Sequence, residues 1–202
     1  LVPAILWGVA FGNVVRGVPL DENFEFVGSL LDLLNPYALL AGLTTLALFV
    51  THGSVFVALK TTGEVRERAN ALAGRVGLVA AVLAVAFLAW TQGIRGDAWS
   101  AVTAVCAALA LVGGLLANRA GREGWAFLGS AVAIGLAVVT LFVALFPDVM
   151  PSTISDANSL TTTNAASTPY TLRIMTWVAV IFTPIVLAYQ SWTYWVFRRR
   201  IG

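Results

Sequence analysis

The 202-residue chain is 59% hydrophobic and 11% charged, with a mean hydropathy of +0.86. Soluble domains are roughly 45 to 50% apolar and about 25% charged, so water is not the main solvent of this protein. The net charge of +2 comes from twelve basic residues spread over several short loops, which excludes a nucleic-acid-binding stripe. The composition predicts an all-α integral membrane protein: a multi-pass helical bundle forming a single transmembrane domain over residues 1–202.

The first apolar run, Leu1 to Val15, is shorter than the roughly 20 residues that span a bilayer. It lacks the charged start and the small-residue cleavage site of a signal peptide. It reads as the second part of a cut helix in an N-terminally truncated chain. Five full spans follow: Pro36 to Leu59, Val76 to Gln92, Trp99 to Ala117, Trp125 to Phe146 and Tyr170 to Phe197. Asn35 and Pro36 mark a helix start, with an N-cap side chain followed by proline at the first helical position. Pro184 falls inside the last span and is expected to kink it. Gly8 and Gly12, Ala80 and Ala84, and Ala104 and Ala108 recur at spacing four, which lets helix backbones approach closely. Cys106, the single cysteine, reads as a small buried packing residue.

Alternate loops sort by charge. One side holds Lys60, Arg66, Arg68, Arg75, Arg119, Arg122, Arg198, Arg199 and Arg200; the other holds Arg16, Arg95 and Arg173 with seven of the ten acids. Bases flanking spans stay in the cytoplasm, so the C-terminus is expected there, and Arg16 to Asn35 and Asp148 to Pro169 are expected to be extracytoplasmic loops. Trp192, Tyr194, Trp195 and Phe197 before the terminal arginines suit the headgroup zone, and Trp90 and Trp99 suit the opposite one. The polar 148–169 loop is too long for a tight turn. It either caps the bundle or binds a partner.

No acid lies deep in an apolar run, which weighs against an ion-coupled secondary transporter, the main alternative beside a membrane scaffold protein. No Walker loop, metal-ligand spacing or Ser/His/Asp set occurs, so no catalytic residue is assigned. His52, the only histidine, is open to three readings: a haem ligand, a polar group near the cytoplasmic interface, or part of a proton path. Met175 is the only thioether inside a span. It lies about five residues from the outer end of its helix against about sixteen for His52, a depth difference of roughly 16 Å and too far to grip one iron. Lys60 follows His52 by eight residues and is expected on the same side of the helix, either snorkelling to the interface or admitting protons.

Two blocks of residues carry a family resemblance. The first is Gly8-Val9-Ala10-Phe11-Gly12-Asn13 with Gly17-Val18-Pro19, Leu33-Leu34-Asn35-Pro36-Tyr37 and Leu59-Lys60-Thr61-Thr62-Gly63-Glu64. The second is Phe146-Pro147 with Met150-Pro151-Ser152, Pro169-Tyr170-Thr171-Leu172, Met175-Thr176-Trp177 and Tyr189-Gln190-Ser191-Trp192-Thr193-Tyr194-Trp195. In order and spacing they resemble subunit II of the cytochrome bd-type quinol oxidases, with a divergent stretch from Ala71 to Ala120. The resemblance implies the last six helices of a nine-helix subunit in a bacterial cell membrane. It further implies a complex that couples quinol oxidation to reduction of O₂ to water and builds a proton gradient. Haems b and d would sit in subunit I, which this chain would scaffold. Small accessory subunits and a structural quinone or lipid between helices would also be compatible with it, and no nucleic acid is expected.

Overall fold

The computed structural model describes residues 1–197. Arg198, Arg199 and Arg200, which contribute to the orientation reading, lie outside the described residues. The described residues form six α-helices: α1 (Val2–Arg16), α2 (Pro36–Lys60), α3 (Gly63–Arg95), α4 (Ala98–Arg119), α5 (Glu123–Leu145) and α6 (Pro169–Val196). The last five are long and apolar enough to cross a membrane, whereas α1, with 15 residues, rises only about 22 Å. The expected multi-pass helical bundle is the fold.

The helix starts follow local chemistry. Asn35 Oδ1 accepts the Ala38 N–H at 3.0 Å with Pro36 opening α2, as expected. Asp97 caps α4 through the Ser100 N–H, and that contact holds its carboxyl below the usual range. Ser29 does the same for Asp32 in the 3₁₀ turn Leu30–Leu34. Both carboxylates gain from their contacts at neutral pH and lose them as pH falls through the lowered pKa.

The largest departure from expectation is α3, which begins at Gly63 rather than Val76 and reaches 33 residues, about 50 Å. Hydropathy reports which solvent surrounds a segment, not whether it is helical. The polar stretch contains Glu64, Arg66, Glu67, Arg68, Ala69, Ala71, Leu72 and Ala73, all good helix formers. Arg68 pairs with Glu64 one turn earlier. From Arg75 to Arg95 the rise is about 30 Å, the hydrocarbon thickness, so the first 12 residues, Gly63 to Gly74, extend beyond it.

Small residues set the packing. A Cβ on Gly8 would stand 2.5 Å from the Ala41 carbonyl oxygen, and one on Gly12 2.8 Å from the Ala38 Cα, so α1 and α2 touch backbone to backbone. A Cβ on Gly129 would stand 2.7 Å from the Gly114 Cα, giving α4 and α5 an equally close contact. Val15, Tyr37, Ala41, Phe87, Leu88, Ala104, Ala107 and Leu141 form the main core, and Val55, Ala73 and Ala126 form a second cluster toward the other end. Cys106 is exposed, contrary to expectation, because its neighbours Ala104 and Ala107 occupy the inward face of α4. Helix α6 runs through Pro184 as one element and has no buried residue.

Candidate functional site

The end of the bundle at which α1, α3 and α5 finish carries a built cap. The 148–169 segment forms a two-stranded antiparallel ribbon, β1 (Asp148–Met150) with β2 (Leu160–Thr161), and a 3₁₀ turn at Asp156–Asn158. It docks on the chain leaving α1. The Val18 N–H donates to the Pro151 carbonyl at 3.0 Å, and the Thr153 N–H returns to the Val18 carbonyl at 3.0 Å. The Leu20 carbonyl accepts from Ser152 Oγ at 2.9 Å and Asn158 Nδ2 at 3.0 Å. Gly17 has φ +93°, and a Cβ there would stand 2.8 Å from the Pro151 oxygen, so glycine is required on both counts. Arg95 Nη1 donates to Asp148 Oδ2 at 3.0 Å and fixes the root of the ribbon to α3. The loop thus packs on the chain leaving α1.

Ser152 is the joint of this cap. Its buried hydroxyl donates to the Leu20 carbonyl and accepts from the Leu20 and Ile154 amides at 3.3 and 3.2 Å. Ser152→Ala leaves these groups short of a partner, at about 1 to 3 kcal/mol. The expected result is faster hydrogen exchange at the Leu20 and Ile154 amides and faster proteolysis of the 148–169 segment. Unchanged exchange at both amides would show that the hydroxyl does not hold the cap.

In the other half of the bundle, His52 on α2 meets α5. Its Nδ1 lies 2.7 Å from Ser130 Oγ, and its ring stacks on Phe127 with centroids 4.6 Å apart. The Ser130 hydroxyl donates to the Phe127 carbonyl at 3.0 Å. Lys60 lies elsewhere: its Nζ donates to the Phe197 carbonyl at 2.8 Å, across a cleft of about 350 Å³ between α2 and α6 lined also by Phe56, Gln190 and Tyr194. The expectation that His52 and Lys60 share one side is therefore corrected. Eight residues at 3.6 per turn leave an offset of about 80°, enough to point one at α5 and the other at α6.

A lateral groove of about 360 Å³ opens between α1, α2, α3 and α5, lined by Trp7, Phe11, Thr45, Phe49, Phe87 and Leu141 among others and almost wholly apolar. Two polar contacts were not foreseen from the sequence. Tyr37 Oη and Thr91 Oγ1 meet at 2.7 Å in the core, and Arg66 on α3 pairs with the buried Glu123 at the start of α5. The Tyr37 pair is signalled by polar atoms on otherwise apolar helices; the second pair required knowing that residue 66 is helical.

Met175 is exposed on α6, Cys106 faces outward from α4, and His52 has Phe127 against its ring. No group of three or more His, Cys, Asp or Glu residues among the described ones could hold a metal.

The family model described as cytochrome bd terminal oxidase subunit II matches residues 1–197. Cytochrome bd ubiquinol oxidase subunit 2 of Bacillus subtilis is 34% identical over 207 residues, covering 100% of this chain and 61% of its own length. Cytochrome bd-I ubiquinol oxidase subunit 2 of Escherichia coli K12 is 33% identical, covering 99% of this chain and 63% of its own length. Probable cytochrome oxidase subunit 2 of Haemophilus influenzae is 35% identical, covering 96% and 61% respectively. The chain thus spans about three-fifths of the length of these relatives. A match that runs from the Gly8 and Gly12 contact through the Ser152 cap to the end of α6 is a match of the whole described bundle, and the chain belongs to the cytochrome bd terminal oxidase subunit II family.

Proposed function

We propose that this chain is the supporting subunit of a quinol-oxidising terminal oxidase in a bacterial cytoplasmic membrane, in which the complex reduces O₂ to water and builds a proton gradient. The observation that carries this reading is the family match over residues 1–197, joined to a helix α6 of 28 residues with no buried residue. Such a helix has apolar surface on every side and suits burial against further membrane helices. The partner is the haem-bearing subunit I, with haems b and d; this chain contributes packing surface rather than axial ligands. Small accessory subunits can join the same assembly. The apolar groove takes the tail of a quinone or lipid.

In this reading the 148–169 cap is extracytoplasmic and the C-terminus cytoplasmic. The contact between the 17–20 and 151–158 segments supports it, because the loops that the charge pattern assigns to one side are also the loops that dock together. Purification in mild detergent, with an optical spectrum and quinol-dependent oxygen uptake, tests the function. Copurification with a haem protein and quinol-dependent uptake is expected; a colourless protein that moves a solute alone would sink the reading.

His52 is read as an interior polar contact, its Nδ1 against the Ser130 hydroxyl. His52→Ala is expected to leave the haem spectrum of the complex unchanged. Loss of one haem signal in a normally assembled complex would make His52 a ligand after all. An unchanged spectrum with a fall in quinol oxidation would instead place His52, and with it Lys60 as the nearest basic group on α2, on a proton path.

A further inference from the structure

Three arginines where α3, α4 and α5 meet have no carboxylate partner among the described residues: Arg75, Arg119 and Arg122, all exposed. Two of them flank one contact in sequence, and the third follows in the next turn. Asn118 Nδ2 donates to the Asn70 carbonyl at 3.3 Å and lies 3.9 Å from where a Cβ on Gly74 would stand. Arg75 and Arg119 are the next residues after these two. The α4–α5 turn then brings Arg122 back, its N–H donating to the Ala117 carbonyl at 2.9 Å. Of the neighbouring acids, Glu64 pairs with Arg68 and Glu123 with Arg66, and Glu67 is exposed.

Depth and shape specify the occupant. Arg75 stands at the hydrocarbon boundary, about 30 Å from Arg95 along α3. Toward the membrane from Arg75, Val79 and Val82 follow at i+4 and i+7; from Arg119, Leu116 and Val112 precede at i−3 and i−7. All four are exposed, so each arginine tops an apolar strip on its own helix. Asn118, only 4% exposed, has an Oδ1 without a donor. A phospholipid with a glycerol headgroup presents hydroxyl donors, a phosphodiester for guanidinium groups and two chains for the strips.

We infer that Arg75, Arg119 and Arg122 hold the headgroup of an anionic phospholipid of the phosphatidylglycerol type, its chains lying along the exposed strips of α3 and α4. The inference rests on the membrane bundle and does not depend on the oxidase reading. The test is native mass spectrometry of the complex as purified, titrated with phosphatidylglycerol, phosphatidylcholine or inorganic phosphate. Phosphatidylglycerol is expected to bind in preference to phosphatidylcholine and to resist displacement by inorganic phosphate. Each single Arg→Gln change is expected to weaken its binding about fivefold, and the triple change about 100-fold, while the triple Arg→Lys variant stays within about tenfold of the parent. Equal binding of the two lipids, displacement by inorganic phosphate, or unchanged retention in the Gln variants would overturn the site. If the triple Gln variant does not assemble, the three single variants decide: unchanged retention in all of them overturns it equally.

Discussion

Gly8→Leu is expected to prevent α1 from seating on α2 and to lower the yield of monodisperse protein severely. The added Cβ alone would sit 2.5 Å from the Ala41 carbonyl oxygen, 2.6 Å from Thr45 Oγ1 and 2.7 Å from the Gly42 Cα. Two of these three are backbone atoms, which no rotamer change can move. Overpacking that side chains can absorb costs about 1 to 3 kcal/mol. Here the helices must separate, so the cost is expected to exceed that range. Separation also opens the core at Tyr37 and Ala41, which are 2% exposed, and loosens the Asn35 Nδ2 to Asn13 Oδ1 bond of 2.8 Å. Thermal unfolding in mild detergent measures the effect. Gly53→Ala on the same helix α2 supplies the control, because nothing lies within 4 Å of a Cβ there. Equal unfolding temperatures for Gly8→Leu and Gly53→Ala would show that close backbone approach is not what holds α1.

The sequence carried the spans and much of the helix packing, because both are written in local composition. Runs of apolar residues report lipid, and Gly8 and Gly12 at spacing four report a close contact wherever the partner lies. Asn35 and Pro36 announced the start of α2 because capping is a matter of three residues. Hydropathy alone hides the extra turns of α3, although Glu64, Arg68 and the alanines that follow, Ala69, Ala71 and Ala73, are good helix formers. The cap was illegible for a different reason. Ser152 and Leu20 are 132 residues apart, and nothing in either segment marks the other as its partner. The same holds for His52 and Ser130, 78 residues apart: a histidine in a membrane span announces a polar contact but not its identity. Of the site candidates, Lys60 carried two readings, snorkelling or proton entry, and its contact with α6 needed the fold.

The buried ion pair between α3 and α5 is the second point at which a single change is expected to be costly. Arg66 Nε donates to Glu123 Oε1 at 2.9 Å, and Nη2 donates to the same oxygen. The Glu123 side chain is 4% exposed and that of Arg66 37%. Glu123 also stands in the first turn of α5, where its charge meets the positive end of the helix dipole. Removing one partner of a buried pair costs about 3 to 5 kcal/mol, because the other charge stays behind without compensation. Arg66 keeps partial access to water, so Glu123→Ala is expected near the lower end of that range. Glu123→Gln, which keeps an acceptor, is expected to cost less. Pairing Glu123→Leu with Arg66→Met should recover part of the loss, since the Arg66 charge is then not left behind. Glu64→Ala tests the argument from the other side. Glu64 and Arg68 are 73% and 78% exposed, and such solvated pairs contribute little, so no measurable change in thermal unfolding is expected. If Glu64→Ala and Glu123→Ala lower the unfolding temperature equally, burial is not what gives the Arg66 pair its weight. If only Glu123→Ala does, the projecting turns of α3 are fastened to α5 by this pair, on the face of the bundle where the basic residues concentrate.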